Sequence, residues 1–171
     1  MQGLLKISRM RVKRQVMTDR MTQLQRSRCM ARIRSKSTGP ERRIQEIVSS
    51  LGVVCRRNVK SLPGSPDLVF RSLCKVIFVH GCFWHRHRCP KAYSPKAHAK
   101  YWMNKFARNI ARDRENGLAL RRQGWEVLII WECQLRREAF LIARLKAFLW
   151  GRSNHTLPCT RKPVRKVAGF K

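Results

Sequence analysis

Two apolar runs constrain this chain more than any other feature. Lys75-Val-Ile-Phe-Val79 and Trp125-Glu-Val-Leu-Ile-Ile-Trp131 are almost uninterrupted hydrophobic segments of strand length. A strand that is apolar on successive residues is covered on both faces, unlike the alternating strand of a half-exposed hairpin. Between them lies a basic helical segment, about Lys100 to Arg122, closed by Gly124. A strand, a long helix and a second strand pair in parallel through a right-handed crossover. The chain is therefore read as one α/β domain with a mixed sheet flanked by helices.

The other elements fit around that unit. Thr38-Gly-Pro-Glu41 has the capping-box pattern, with Thr38 as N-cap and Glu41 three residues on. It predicts a helix from about Pro40 to Leu51 that buries Ile44, Ile47, Val48 and Leu51, stopped by Gly52. Val53 to Val59 reads as a first strand, Leu62-Pro-Gly-Ser-Pro66 as a turn and Asp67 to Phe70 as a second strand. Arg71-Ser-Leu73 is a tight connection into the strand of Lys75–Val79. A last helix, about Gln134 to Leu149, is expected to bury Phe140, Leu141, Leu145 and Phe148. The order is α-β-β-β-α-β-α, with four strands, the first three antiparallel. Residues 1–20 read as a basic extension, or on composition alone a transit peptide. Residues 21–150 form the domain and 151–171 a basic tail.

Lys plus Arg number 39 against 9 Asp plus Glu, a formal charge of +30. Such self-repulsion calls for a polyanionic partner, and nucleic acid is the natural one. A membrane-surface protein would need an amphipathic anchor or a lipid signal, and no apolar run approaches the ~18 residues of a membrane span. Seven cysteines without a secretory signal favour reduced thiols and metal ligation over disulfides.

Cys82, His87 and Cys89 supply three soft donors from one loop, with His80 and His85 beside them. Zinc takes about four such ligands tetrahedrally. Cys82 lies three residues past Val79 and Cys133 two past Trp131, so parallel strands bring both to one sheet edge. Cys74 enters at the opposite end. Cys82, His87, Cys89 and Cys133 are the expected set, and four protein ligands make the site structural. A second site is signalled by Ser65-Pro-Asp67 opening one strand beside the end of the next. Hard oxygen donors there suit Mg²⁺, but Phe78-Val79-His80 stand where nucleases usually carry a second acid and a lysine.

The runs Ser61 to Asp67, Val79-His-Gly-Cys-Phe-Trp-His85 with His87 and Cys89, and Gly124 to Cys133 together resemble the very-short-patch-repair (Vsr) DNA mismatch endonucleases. The likeness spans about residues 17–150 in order and spacing. It implies a restriction-endonuclease-like core with one structural zinc. It also implies a Mg²⁺-dependent, strand-specific nick 5′ of a thymine mispaired with guanine, the lesion left when 5-methylcytosine deaminates. By position, Asp67 and the Val79 carbonyl hold Mg²⁺, His85 activates or orients water, His80 assists at the phosphate, and Glu41 supplies the second acid. Glu41 also has its capping role.

The same resemblance makes Phe83 and Trp84 a wedge beside the mismatch, although they could equally fill a core under the loop. Met30 matches a wedge from the opposite groove, or is a helix core residue. Lys105 and Asn109 share a helix face and match positions that contact the mismatched bases, or form a solvated face. Asp113, four residues on, reads as a salt-bridge partner. Arg86 and Arg88 are placed on phosphates. Family members tend to begin near Met17, so residues 1–16 are an extension or follow an upstream start. The implied setting is a monomer on T:G-mismatched duplex DNA in the bacterial cytoplasm, at the nucleoid, with mismatch-repair proteins as partners and no membrane. Two other readings compete: a non-catalytic zinc-stabilised nucleic-acid-binding protein, and a restriction-type nuclease indifferent to mismatches.

Overall fold

The computed structural model describes residues 37–151 together with Thr22, Leu24, Gln25 and Arg28. Both expected tails and Met30 lie outside the described residues. The elements are α1 (Gly39–Ser50), β1 (Arg56–Arg57), β2 (Leu68–Phe70), β3 (Lys75–His80), α2 (Ala99–Arg122), β4 (Glu126–Trp131) and α3 (Glu138–Trp150). The sheet order is β1-β2-β3-β4. β1 and β2 pair antiparallel, as do β2 and β3. β3 and β4 pair in parallel, from Lys75 opposite Glu126 to His80 opposite Trp131. The mixed four-stranded sheet flanked by helices is the expected architecture.

One face of the two apolar runs is covered along its length, and the other only in part: Phe78, Val127 and Ile129 are half-buried and line a cleft. Leu68, Phe70, Ile77 and Ile130 pack with Ile44, Ile47 and Val48 of α1 and Leu141, Leu145 and Leu149 of α3. Val69 and Val76 point the other way, onto Leu120 of α2, Leu62 and Trp125. The period-2 alternation of strand side chains divides one hydrophobic sequence between two cores.

Four local expectations are corrected. The strand read over Val53–Val59 shrinks to Arg56–Arg57, and Val54 is 89% exposed. Gly52 and Asn58 both take left-handed backbone, which cuts the pairing at either end. The last helix does not start at Gln134. Residues Glu132–Arg136 form a 3-10 turn in which the Gln134 side-chain oxygen accepts from the Trp131 N–H (3.0 Å). Phe140 is 58% exposed, because α3 turns Leu141, Leu145 and Leu149 inward instead. Cys74 is disulfide-bonded, so the thiols are not all reduced.

Lys75 interrupts the apolar run for a reason that sequence pattern does not reveal. It is 2% exposed, and its Nζ donates to the carbonyls of Phe148 (2.6 Å), Leu149 (3.3 Å) and Gly151 (3.1 Å). These are the carbonyls that the end of α3 leaves without helical partners, and a cation suits the negative end of the helix. Glu126 lies 3.8 Å from the same ammonium. Lys75→Met is expected to cost about 2–4 kcal/mol, since it leaves several buried carbonyl acceptors without their donor. Urea unfolding measures this; a loss below about 0.5 kcal/mol, the range of neutral surface changes, would contradict it.

Candidate active site and metal centre

The register of β3 and β4 decides where the chemistry gathers. His80 and Trp131 are the last paired residues, so Cys82 and Cys133 each lie two residues beyond the same edge. The loop after β3 then folds on itself through His85 N–H to Gly81 (3.2 Å), His87 N–H to Cys82 (3.1 Å) and Cys89 N–H to His87 (2.8 Å). These turns bring the ligand atoms of Cys82, His87, Cys89 and Cys133 within 4.8 Å of one another. Three sulfurs and an imidazole nitrogen at that spacing suit a tetrahedral ion with bonds of about 2.0–2.3 Å. The Cys133 sulfur is 3.3 Å from His87 Nδ1, and the His87 ring stacks on Trp131 at 4.4 Å. Burial pushes the Cys82 thiol up to about 12, while Cys89, against its own desolvation, is drawn down to about 7 by His87 and Cys82. A divalent ion would take all three as thiolates, so the donor set fits a metal.

Beside this cluster opens a cleft of about 1130 Å³. Its walls carry Glu41, Asp67, Val79, His80, Trp84, His85, Lys105, Asn109 and Asp113, residues from both faces of the fold. Of the 9 acids in the chain, Glu41, Asp67, Asp113 and Glu132 line this one cleft. A groove that only attracts DNA would have no use for four carboxylates, whereas a metal-dependent hydrolytic site would.

Asp67 stands at the entry of β2, where the antiparallel register sets it beside the end of β3. Its Oδ2 accepts the Val79 N–H at 2.8 Å. Burial raises its carboxyl to about 6, against that hydrogen bond and with help from the charge of Glu41. His85 Nδ1 pairs with the Asp113 carboxylate. That contact fixes the ring, leaving Nε2 as the nitrogen available for proton transfer. The His80 ring stacks on His85 at 3.9 Å and 11°. Burial first, then the charges of His85 and Arg112, lower His80 to about 4 despite Asp113. His80 therefore stays neutral at physiological pH. Asp113 is the residue that sequence reading undervalued. Its signal was present: an acid one turn beyond Asn109 on the same face, in a chain with 9 acids against 39 bases.

Glu41 is buried, with both oxygens engaged: one accepts the Ser37 N–H (2.8 Å), the other the Thr38 hydroxyl (2.8 Å). The capping reading describes these contacts, and one lone pair on each oxygen is left for a further ligand. Arg86 is engaged within its own loop. Its guanidinium donates to the carbonyls of Ala92 (2.8 Å) and Tyr93 (3.1 Å) and to Ser94 Oγ (2.9 Å), and lies 4.9 Å over the Phe106 ring. In the free protein it braces the loop. Arg88 is exposed.

Residues 18–91 match the family described as DNA mismatch endonuclease Vsr. The chain is 43% identical over 133 residues to the type II nicking enzyme V.XorIIP of Xanthomonas oryzae pv. oryzae, covering 78% of this chain and 98% of that one. It is 38% identical over 129 residues to the type II nicking enzyme V.NmeAIP of Neisseria meningitidis, covering 75% and 92%. Against the DNA mismatch endonuclease Vsr of Escherichia coli it is 40% identical over 111 residues, covering 65% and 71%. The chain belongs to the Vsr family. It is a DNA endonuclease, a hydrolase of the DNA backbone. No helix among the described residues is long and apolar enough to cross a membrane.

Within this Vsr fold the two loop aromatics differ. Phe83 is surrounded by Trp84 (5.0 Å), Tyr93 (5.0 Å), Phe106 (5.2 Å) and Trp102 (5.4 Å), so in the free protein it belongs to an aromatic cluster. Trp84 lies at the cleft wall with the Lys105 ammonium 5.1 Å over its ring, and its carbonyl accepts from Asn109 Nδ2 (3.1 Å). Lys105, Asn109 and Trp84 thus form one surface beside the His85–Asp113 pair.

Proposed function

We propose that this Vsr enzyme makes a Mg²⁺-dependent, strand-specific nick 5′ of the thymine in T:G mismatches left by 5-methylcytosine deamination, initiating very short patch repair. The observation carrying this is the single cleft in which Asp67, anchored by the Val79 N–H, faces His85, oriented by Asp113. The printed names of its relatives, nicking enzymes and a mismatch endonuclease, support the reading.

Asp67 and the Val79 carbonyl would hold Mg²⁺; one carboxylate with substrate phosphate oxygens and water is a usual set for that ion. When bound, it supplies charge neutralisation at the phosphate and a more acidic water. His85 takes the proton of the attacking water, and Asp113 keeps its ring aimed and stabilises the charge it gains. His80, neutral and stacked on His85, donates or accepts at the scissile phosphate. Glu41 contributes its charge from within the cap. Cys82, His87, Cys89 and Cys133 would hold a structural Zn²⁺. Phe83 and Trp84 leave their cluster to wedge beside the mismatch, where unstacking costs less than in paired DNA. Met30 serves the opposite groove, Lys105 and Asn109 read the exposed bases, and Arg88 contacts phosphate. The enzyme acts as a monomer in the bacterial cytoplasm, at the nucleoid, with mismatch-repair proteins as candidate partners.

The test is strand-mapped cleavage of T:G, fully paired and unrelated duplexes with Mg²⁺. A nick 5′ of the mismatched T alone is expected; equal cutting of paired DNA, or no cutting, would reject the proposal. Asp113→Asn is expected to slow single-turnover nicking about 10- to 100-fold by misorienting His85, the range for partners that hold a functional imidazole. A rate within twofold of the parent would leave Asp113 without that task.

A further inference from the structure

The cleft continues past the His85–Asp113 pair, along α2, into a stretch that the mechanism leaves unused. Asn58, Ser65, Asn116, Gly117 and Arg121 line it. Gly117 sits in the interior of a 24-residue helix, where glycine is the least favourable residue after proline. An added Cβ would meet one group only within 4 Å, Arg121 Nη1 at 3.2 Å. Packing against the sheet therefore does not require the glycine. What it provides is room for the Arg121 guanidinium to fold back one helical turn and lie along the cleft wall. No partner for that guanidinium occurs among the described residues, in contrast to Arg43, Arg86 and Arg144. Beside it, Asn116 is confined by the turn at Gly64, where a Cβ would come within 2.9 Å of Asn116 Nδ2.

We infer that Gly117, Arg121 and Asn116 form a phosphate subsite for the cleaved DNA strand, on the side of the catalytic pair away from Trp84. This rests on the nicking reading above. A forked guanidinium and an amide are donors matched to phosphodiester oxygens. The Arg121 guanidinium, folded back beside Gly117, is level with a position four residues beyond Asp113, about 6 Å along the helix. At about 3.4 Å of axial rise per phosphate, the contacted group lies about two nucleotides from the nick. The subsite holds the strand in register, so its residues position rather than catalyse. Arg121 also suits the negative end of α2, but a dipole role needs no glycine at 117 and would show as stability.

Binding of the full chain to a T:G duplex, followed by fluorescence anisotropy across salt without magnesium, separates these. Arg121→Gln is expected to weaken binding about 5- to 10-fold near 0.1 M salt and to reduce the log–log salt slope by about one. Gly117→Ala is expected to raise the thermal midpoint by about 2–4 °C, as glycine replacement in a helix should, yet weaken binding about threefold. Single methylphosphonates along the cleaved strand should reveal one position, about two nucleotides from the nick, that weakens the parent but not Arg121→Gln. An unchanged slope in Arg121→Gln, or equal sensitivity of both proteins at every position, overturns the subsite. Nicking of the same duplex by the parent is scored separately: failure to nick condemns the T:G reading, whereas normal nicking without phosphate coupling condemns only the subsite.

Discussion

Asp67→Asn is expected to lower single-turnover nicking of T:G duplexes by at least about 10³-fold, while binding in magnesium-free buffer stays within about threefold. The side chain keeps its size and can still meet the Val79 N–H through its oxygen, but it no longer carries charge to hold a hard cation. The same substitution should stabilise the metal-free protein. Asp67 is half-buried near Glu41, and desolvation raises its carboxyl to about 6 from an ordinary 3.8. Such a group binds its proton more tightly folded than unfolded. Wild-type stability is therefore eroded as pH rises from about 4 through about 6, and the full penalty is present above that. The asparagine variant escapes it, so its advantage should be near zero at pH 4 and of order 1–3 kcal/mol at pH 7.5. Urea unfolding at the two pH values checks the sign. A variant that nicks normally, or one that is destabilised at pH 7.5, would remove Asp67 from the centre of the site. Loss of rate with gain of stability is the signature of a group retained for chemistry at the expense of the fold.

The Lys75–Val79 and Trp125–Trp131 runs, joined through one long helix, made the parallel β3–β4 pair legible, although the double burial read from them holds only in part, since Phe78, Val127 and Ile129 line the cleft. That pairing also made Cys82 and Cys133 neighbours before any coordinates. What stayed hidden depended on side chains finding partners far along the chain. Lys75 looked like an intrusion until it met the end of α3, more than seventy residues away. The arginines of a basic chain look alike in sequence, so nothing there marked Arg86 as the one with left-handed backbone and bonds to the carbonyls of Ala92 and Tyr93. Asp113 was placed on the right helix face, but its partner sits on a loop whose path the sequence leaves open. Phe140 failed for a different reason. A helix apolar on nearly every side gives no periodic signal to say which side is inward.

Removing one ligand of the four-residue cluster should have the broadest effect. Cys133→Ala is expected to abolish tight binding of one metal equivalent and to reduce nicking below detection, while the sheet and its two cores persist. The segment between β3 and α2 contains turns but no helix or strand. Its hold on β4 consists of the cluster, the His87–Trp131 stack and the Lys91–Glu132 ion pair at 2.6 Å. That ion pair is about one-third exposed at each end, so it contributes at most about 1 kcal/mol. A structural zinc contributes far more, about 10–16 kcal/mol of apparent binding energy in small zinc domains. Without such an ion the loop keeps its anchors on α2, His85 to Asp113 and the Trp84 carbonyl to Asn109, but loses its main hold on the β4 side and shifts relative to Asp67, and a displacement near 1 Å already costs about 100-fold in rate. Hydrogen exchange should accelerate across residues 81–98 and remain slow in β3 and β4, and metal analysis should find less than half an equivalent. A Cys133→Ala protein that keeps its metal and its nicking would show that the fourth ligand lies elsewhere. One that loses the metal yet nicks normally would separate loop order from catalysis altogether.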